Sequence, residues 1–242
     1  MNNRSHLAAI PITSLIVLLG ASLLLAYEVE PVPSGGAVTG TVRFKGEVTA
    51  LPNLKVIKDQ TACGMDVIDE SLIVNEGLIQ NVVVSIAGIT AGKEPDVENP
   101  TLDNHGCRFV PHVQTAQVGS RLVIANSDPI LHNTHCTYED GETVFNIALP
   151  LQNQRVRKRI KRAGVLAMKC DAGHTWMNAY VVVFEHPYHA TTGTEGSFTI
   201  SDIPPGQYTL SLWHEKLATQ TVAINIEAGK TASIEIEMGE EQ

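Results

Sequence analysis

The sequence predicts an all-β chain, a Greek-key sandwich followed by a smaller β-sandwich module. Three observations lead there. Val, Ile and Thr are frequent whereas aromatic residues make up 5%, a composition suited to pleated, half-buried strands. Gly at 19 positions and Pro at 12 cut the chain into short runs, as expected of strands joined by turns. No amphipathic pattern of about ten residues or more separates those runs, which disfavours a parallel α/β sheet. An apolar share of 43% with 18% charged residues is globular and excludes a disordered or collagen-like chain. Lys plus Arg number 17 against 26 Asp plus Glu, a net charge of −9, so no nucleic-acid partner is expected and electrostatic docking has to be local.

Residues 1–26 read as an export element, because positions 7–26 carry no charge over a length that just reaches a bilayer span. Leu24 and Ala26 form a weak cleavage signal, so a cleaved signal peptide and a membrane anchor through residues 7–26 both stay open. Either way the rest of the chain is expected in the periplasm or cell envelope. Disulfides persist there, and the cysteines at 63, 107, 136 and 170 allow two bridges in three connectivities, or thiolate ligation of a metal instead.

Residues 27–37, rich in Pro and Gly, read as a linker. A first domain is expected over 38–186, with strands near 38–44, 81–88, 108–116, 120–126, 143–148, 164–170 and 178–185 and a polar, turn-rich stretch over 89–106. Seven or so short strands with irregular connections suit a Greek key. From 187 to 242 the pattern changes. Phe198 and Ile200, then Tyr208 to Leu212, Val222 to Ile226 and Ala232 to Met238, alternate with polar or small residues and predict four half-buried strands. The run Gly196-Ser-Phe-Thr-Ile-Ser-Asp-Ile-Pro-Pro-Gly-Gln-Tyr-Thr-Leu210 resembles the carboxypeptidase regulatory-like, or prealbumin-like, β-sandwich repeat. That resemblance implies a structural or adhesive module and no catalysis.

The stretch Cys170-Asp-Ala-Gly-His174-Thr-Trp-Met177 concentrates the chemistry. It puts thiolate, imidazole and thioether on one tight loop between two expected strands. Those soft donors select copper, and two His with one Cys and a weak Met make a blue-copper electron-transfer site. The second His is found in Asn126-Ser-Asp-Pro-Ile-Leu-His132-Asn133. Zinc is disfavoured, since Met is a poor zinc ligand and the spacing fits no paired-Cys pattern.

Together with Phe109-Val-Pro111 and Gly119 upstream, these motifs resemble the cupredoxins over roughly residues 38–186. The loop is most similar to the last part of the dinuclear-copper loop of cytochrome oxidase subunit II and nitrous oxide reductase. Those loops carry another Cys four residues earlier, where this chain has Leu166, so one mononuclear copper ion is the expectation. The resemblance implies His132, Cys170, His174 and Met177 as ligands. With the C-terminal module, it extends to exported cupredoxin-like proteins labelled methylamine utilisation proteins. With Cys170 assigned to metal, Cys63 and Cys107 are expected to be bridged and Cys136 left unpaired. His112 and His135 stand as neighbours or alternative ligands, while His186, His189 and His214 read as interdomain or surface contacts.

Nothing resembles a nucleophile elbow, a phosphate-cradling Gly loop with Lys or a paired-carboxylate motif, so the expectation is an electron carrier and no enzyme. A redox protein such as a cytochrome or oxidoreductase is the expected partner. Six of the 17 basic residues fall within Arg155, Arg157, Lys158, Arg159, Lys161 and Arg162, a docking patch expected about 20 Å from the metal at the far end of strand 164–170.

Overall fold

The computed structural model describes residues 27–47 and 51–239. The export element at 1–26 lies outside them. Among the described residues the regular structure is strands and one helical turn, Gln60–Cys63. No helix there is long and apolar enough to cross a membrane.

Two sandwiches result. In the first, one sheet runs Arg108–Val110, Thr101–His105, Arg121–Asn126, Gln154–Arg159, and the facing sheet runs Val113–Gln117, Asn178–Phe184, Gly164–Lys169, His132–Tyr138, Thr143–Leu149. Both sheets are mixed: Thr101–His105 lies parallel to Arg121–Asn126, and Val113–Gln117 parallel to Asn178–Phe184. Parallel neighbours cannot be joined by a tight hairpin, so the chain crosses between sheets as a Greek-key sandwich requires. Side-chain alternation then makes the core, in which Leu122 and Ile124 meet Leu166, Met168, Ala179 and Val181.

The second sandwich contains the four C-terminal strands, Ser197–Ile203, Gly206–Trp213, Gln220–Ile226 and Thr231–Met238. It also takes in strands from the N-terminal side. Gly36–Phe44 pairs antiparallel with Ser197–Ile203 and parallel with Thr231–Met238, while Val83–Ala87 lies between His189–Thr191 and Gly206–Trp213. Its core joins Val38, Val42, Val84 and Ile86 to Phe198, Ile200, Leu210 and Leu212.

This wiring corrects the division of the chain at 38–186 and 187–242. Local alternation identifies a strand but not its partner, and the partner is chosen by packing. At Gly40 a Cβ would stand 2.6 Å from the Ile234 carbonyl oxygen and 2.8 Å from the Phe198 ring, so a glycine lets Gly36–Phe44 sit between its two neighbours. The linker reading of 27–37 is corrected too: Glu28–Val29 pairs with Ala91–Gly92, Tyr27 donates to the Lys93 carbonyl at 2.6 Å, and Gly36 and Ala37 already belong to a strand. Thr101–His105, His132–Tyr138 and Gln154–Arg159 are strands whose polar composition hides them from a hydrophobic pattern. The sandwiches meet where Val83 and Trp213 of the second pack with Val113, Val182, Tyr180 and Phe184 of the first.

A fragment of residues 187–242 is therefore expected not to fold. It lacks Gly36–Phe44 and Val83–Ala87, so its buried Phe198, Ile200, Leu210 and Leu212 lose their facing partners. Far-UV circular dichroism of the fragment should show a coil. A cooperative thermal transition would contradict the wiring described.

Candidate metal centre

Four chain segments converge at one end of the first sandwich. The strand Arg121–Asn126 ends in Asn126, whose fully buried amide donates to the carbonyls of Leu149 and Ile130, each at 2.9 Å. That anchors the turn leading to Asp128. The Asp128 carboxylate accepts the backbone N–H groups of Gly106 and Cys107, each at 2.8 Å, and meets His132 Nε2 at 2.9 Å. Burial pushes its pKa up, but these hydrogen bonds prevail and hold it below the ordinary carboxylate value. His132 begins the strand His132–Tyr138 with its side chain fully buried.

The strand Gly164–Lys169 hands the chain to Cys170, and the turn that follows presents His174, whose carbonyl accepts the Met177 N–H at 3.0 Å. Gly173 has φ +95 there, and a Cβ would meet the Lys58 side chain at 3.0 Å, so the turn favours glycine on both counts. His174 Nε2 meets the Asp59 carboxylate at 2.8 Å. Asp59 stands at the N-cap of Gln60–Cys63 but makes no capping bond with its side chain, and its φ is +54. That left-handed backbone costs about 1–3 kcal/mol in a non-glycine residue.

With both Nε2 atoms taken by carboxylates, both Nδ1 atoms turn to one sulfur. The separations are 3.1 Å between the two Nδ1 atoms, 3.6 Å from Cys170 Sγ to His174 Nδ1 and 4.0 Å from Sγ to His132 Nδ1. The centre of such a triangle is about 2.1 Å from each corner, within reach of metal–nitrogen bonds of about 2.0–2.1 Å and metal–sulfur bonds of about 2.3 Å. His132, Cys170 and His174 are all buried and fit a metal ion. Met177 is buried in the same core. Cys107 also lies near Asp128 and His132, but its sulfur is bonded to Cys63.

The protonation pattern agrees with a site built for a cation. Burial pushes His174 below its ordinary value, with Asp59 opposing and His132 reinforcing. Burial also disfavours the charged form of His132, yet the hydrogen bonds to Asp128 and Cys170 prevail and push its pKa to about 8. For Cys170, burial raises the pKa but is outweighed by His132 and by the N–H groups of Asn133 and Ala172, so the thiol lies below its ordinary value. Cys136, by contrast, is a free cysteine in the apolar core, pushed by burial to about 12.

The other expected site residues fall elsewhere. His135, three positions after His132 on the same strand, points to the opposite face and meets Asp171 at 2.8 Å. His112 pairs with Glu215 of the second sandwich, both side chains 5% exposed. His189 stacks on Phe184 at 4.6 Å, while the Nδ1 atoms of His186 and His214 accept the backbone N–H groups of Tyr188 and Lys216. Cys63 and Cys107 are disulfide-bonded with Cα atoms 5.4 Å apart. The basic run divides. Arg155, Arg157 and Arg159 share the exposed face of an edge strand, with Arg121 opposite Arg159. Lys158 is half-buried on the other face and Lys161 is exposed. Arg162 is held by Asp140 and Glu142, each at 3.1 Å, and stacks on Tyr138. The row begins beside the site rather than at the far end of Gly164–Lys169, because Arg155 pairs with Ala125, three residues before Asp128.

Asp59 and Asp128, the carboxylates that meet the two imidazoles, are not among the residues expected from sequence. Asp128 lies within the quoted Asn126–Asn133 motif, four residues before His132, a spacing that could have drawn attention to it. Asp59 is 115 residues from His174, and no local signal marks it.

Comparison with known proteins adds the following. The carboxypeptidase regulatory-like domain family matches residues 171–239. That range starts inside the ligand loop, although the strand pairing assigns Asn178–Phe184 to the first sandwich. No curated protein matches the sequence. Among solved structures, a purple cupredoxin from Nitrosopumilus maritimus is 21% identical over 36% of this chain and all (100%) of its own, with a TM-score of 0.31. A copper-containing nitrite reductase from Thermus scotoductus is 20% identical over 39% of this chain but only 24% of its own length, TM-score 0.32. A reduced amicyanin variant is 17% identical over 42% of this chain and 98% of its own, TM-score 0.32. Superpositions this loose add nothing to what strand order and side-chain geometry establish.

Because a metal ion and a proton compete for His132 Nδ1, and that proton's pKa is raised to about 8, metal affinity should fall as pH drops below about 8. One displaced proton gives about tenfold per pH unit. A chelator competition with Cu(II) from pH 6 to 9, corrected for the chelator's own protonation, measures this. A flat profile would show that His132 is not the group displaced.

Proposed function

We propose that the chain is an exported, mononuclear copper protein that passes single electrons to or from a redox partner such as a cytochrome or an oxidoreductase. The observation that carries this reading is the buried triangle of two imidazole nitrogens and one cysteine sulfur, with Met177 buried on the same loop. That donor set favours copper over zinc or the hard cations. A copper ion held there would supply one-electron exchange between Cu(I) and Cu(II).

The chain's own residues would hold that exchange to small movements. His132 stands in a five-stranded sheet, and Cys170 directly follows a strand of the same sheet. Asp128 and Asp59 orient both rings, and the Asn133 N–H donates to Cys170 Sγ at 3.4 Å. His132 and His174 are 0% exposed and Cys170 is 5% exposed. Enclosure of this kind suits a carrier, whereas a catalytic metal keeps a position open to substrate. The apolar stretch at 7–26 and the Cys63–Cys107 disulfide support work outside the cytoplasm, in the periplasm or cell envelope.

The exposed row Arg155, Arg157, Arg159 and Arg121 supports docking of an acidic redox partner, since none of the four has a salt-bridge partner among the described residues whereas Arg43, Arg108 and Arg162 do. Its start near Asp128 would bring such a partner toward the metal.

Protein loaded with Cu(II) should show an intense thiolate-to-copper band, and Cys170→Ser should abolish that band while leaving the fold intact. Colourless copper binding would favour copper storage or delivery, and absence of bound metal would favour a metal-free interaction module. Replacing Arg155, Arg157 and Arg159 with Gln should slow association with an acidic cytochrome about tenfold at low ionic strength and flatten its salt dependence. Unchanged kinetics across a salt series would remove the docking role.

A further inference from the structure

The segment Leu54–Glu70 lies against the metal cluster. Among the described residues its strands Leu54–Lys55 and Asp66–Val67 pair only with each other, and Val56 and Val67 reach the core of the first sandwich. Between them, Lys58 donates to the Ala172 carbonyl of the ligand loop. The next residue, Asp59, stands between His174 and solvent, the His174 side chain being 0% and the Asp59 side chain 38% exposed. Its carboxylate serves the imidazole and leaves the helical turn it begins uncapped.

That turn ends at Cys63, which is bonded to Cys107. Cys107 in turn donates its N–H to Asp128, and its carbonyl accepts the Trp176 indole N–H at 3.0 Å. One covalent bond thus ties the segment that orients His174 to the residue that helps orient His132. The Cys107 sulfur lies within 4.8 Å of the Asp128 and His132 donor atoms, so reduction would also free a competing soft donor beside the cluster.

We propose that Leu54–Glu70 is a disulfide-latched strap over the metal centre: Asp59 positions His174, and the Cys63–Cys107 bond holds Asp59 in place, so that reducing this bond opens the pocket to metal exchange. This rests on reading the cluster as a metal centre. The opening step is an exchange with an external dithiol. The dithiol gives two electrons and two protons, the Cys63–Cys107 bond breaks to two thiols, and the dithiol leaves as its own disulfide. Cys170 is unchanged in the step.

The latch is tested first on metal-free full-length protein, by the solvent-exchange rate of the His174 Nε2 proton in nitrogen-edited NMR. Exchange should be slow in the oxidised protein and at least about tenfold faster after reduction with a phosphine, which introduces no competing thiol. Asp59→Ala should accelerate it equally without reduction, while the backbone spectrum of the sandwich strands stays in place. Second, release of Cu(II) from loaded protein to excess EDTA should be at least about tenfold faster in Asp59→Asn and in the Cys63→Ala/Cys107→Ala double variant, and the two effects should not add when combined. If the double variant does not fold, the Asp59→Asn arm decides.

Unchanged ring-proton exchange on reduction overturns the latch, and unchanged exchange in Asp59→Ala overturns the hold of Asp59 on His174, even if copper binds as proposed. Faster exchange in a protein that binds no copper keeps the strap's hold on His174 and overturns its role in metal exchange. Copper release unaffected by Asp59→Asn also overturns that role.

Discussion

An imidazole has two nitrogens on opposite edges, and what occupies one edge decides what the other can face. In this protein both Nε2 edges are taken by carboxylates, Asp128 on His132 and Asp59 on His174, and the remaining edges converge on Cys170. A histidine held by a carboxylate has its tautomer and ring orientation set, and it is a stronger donor. The two carboxylates come from distant parts of the chain. Asp128 gains its place from the buried Asn126 turn and the Gly106 and Cys107 amides, Asp59 from a strap joined to the sandwich by a disulfide. The cluster geometry depends on both supports.

The two sandwiches are also interleaved along the chain. The strands of the first sandwich's two sheets all lie between Val83–Ala87 and His189–Thr191, two strands paired with each other in the second. Entry and exit of the inserted domain are therefore joined by a sheet instead of a free linker, which restricts how the domains can turn relative to each other. His112 and Glu215 meet across this boundary with almost no exposure. Such a buried pair contributes little net stability but strongly disfavours any arrangement that leaves one partner alone.

The basic edge strand has two physical consequences at once. Gln154–Arg159 is the last strand of its sheet and has a single neighbour there. Arginines along such an edge discourage pairing with another chain, and Arg157 and Arg155 stand opposite Val123 and Ala125 of the neighbouring strand. On an otherwise acidic protein the same row is a local field of opposite sign. A solubility device and a recognition surface can therefore be made of the same residues.

The sequence alone determined the fold class and the four C-terminal strands and put Cys170 and His174 on one turn, because alternation and a Cys-x3-His spacing are local patterns. It also pointed to His132, through a motif next to a legible strand. What it left undecided was long-range. Gly36–Phe44 reads as a strand wherever it pairs, and only packing around Gly40 assigns it to the C-terminal sheets. His112 and His135 stood beside His132 as possible neighbours or alternative ligands, and the sheet separated them: His135 falls on the opposite face and His112 on the interdomain boundary. Asp59 could not be found from sequence at all, being one of many acidic residues until a disulfide and a turn bring it to His174. Local pattern encodes which residues can ligate, but tertiary structure decides which edge of each ring is free, because the groups that occupy the other edge are distant in the chain.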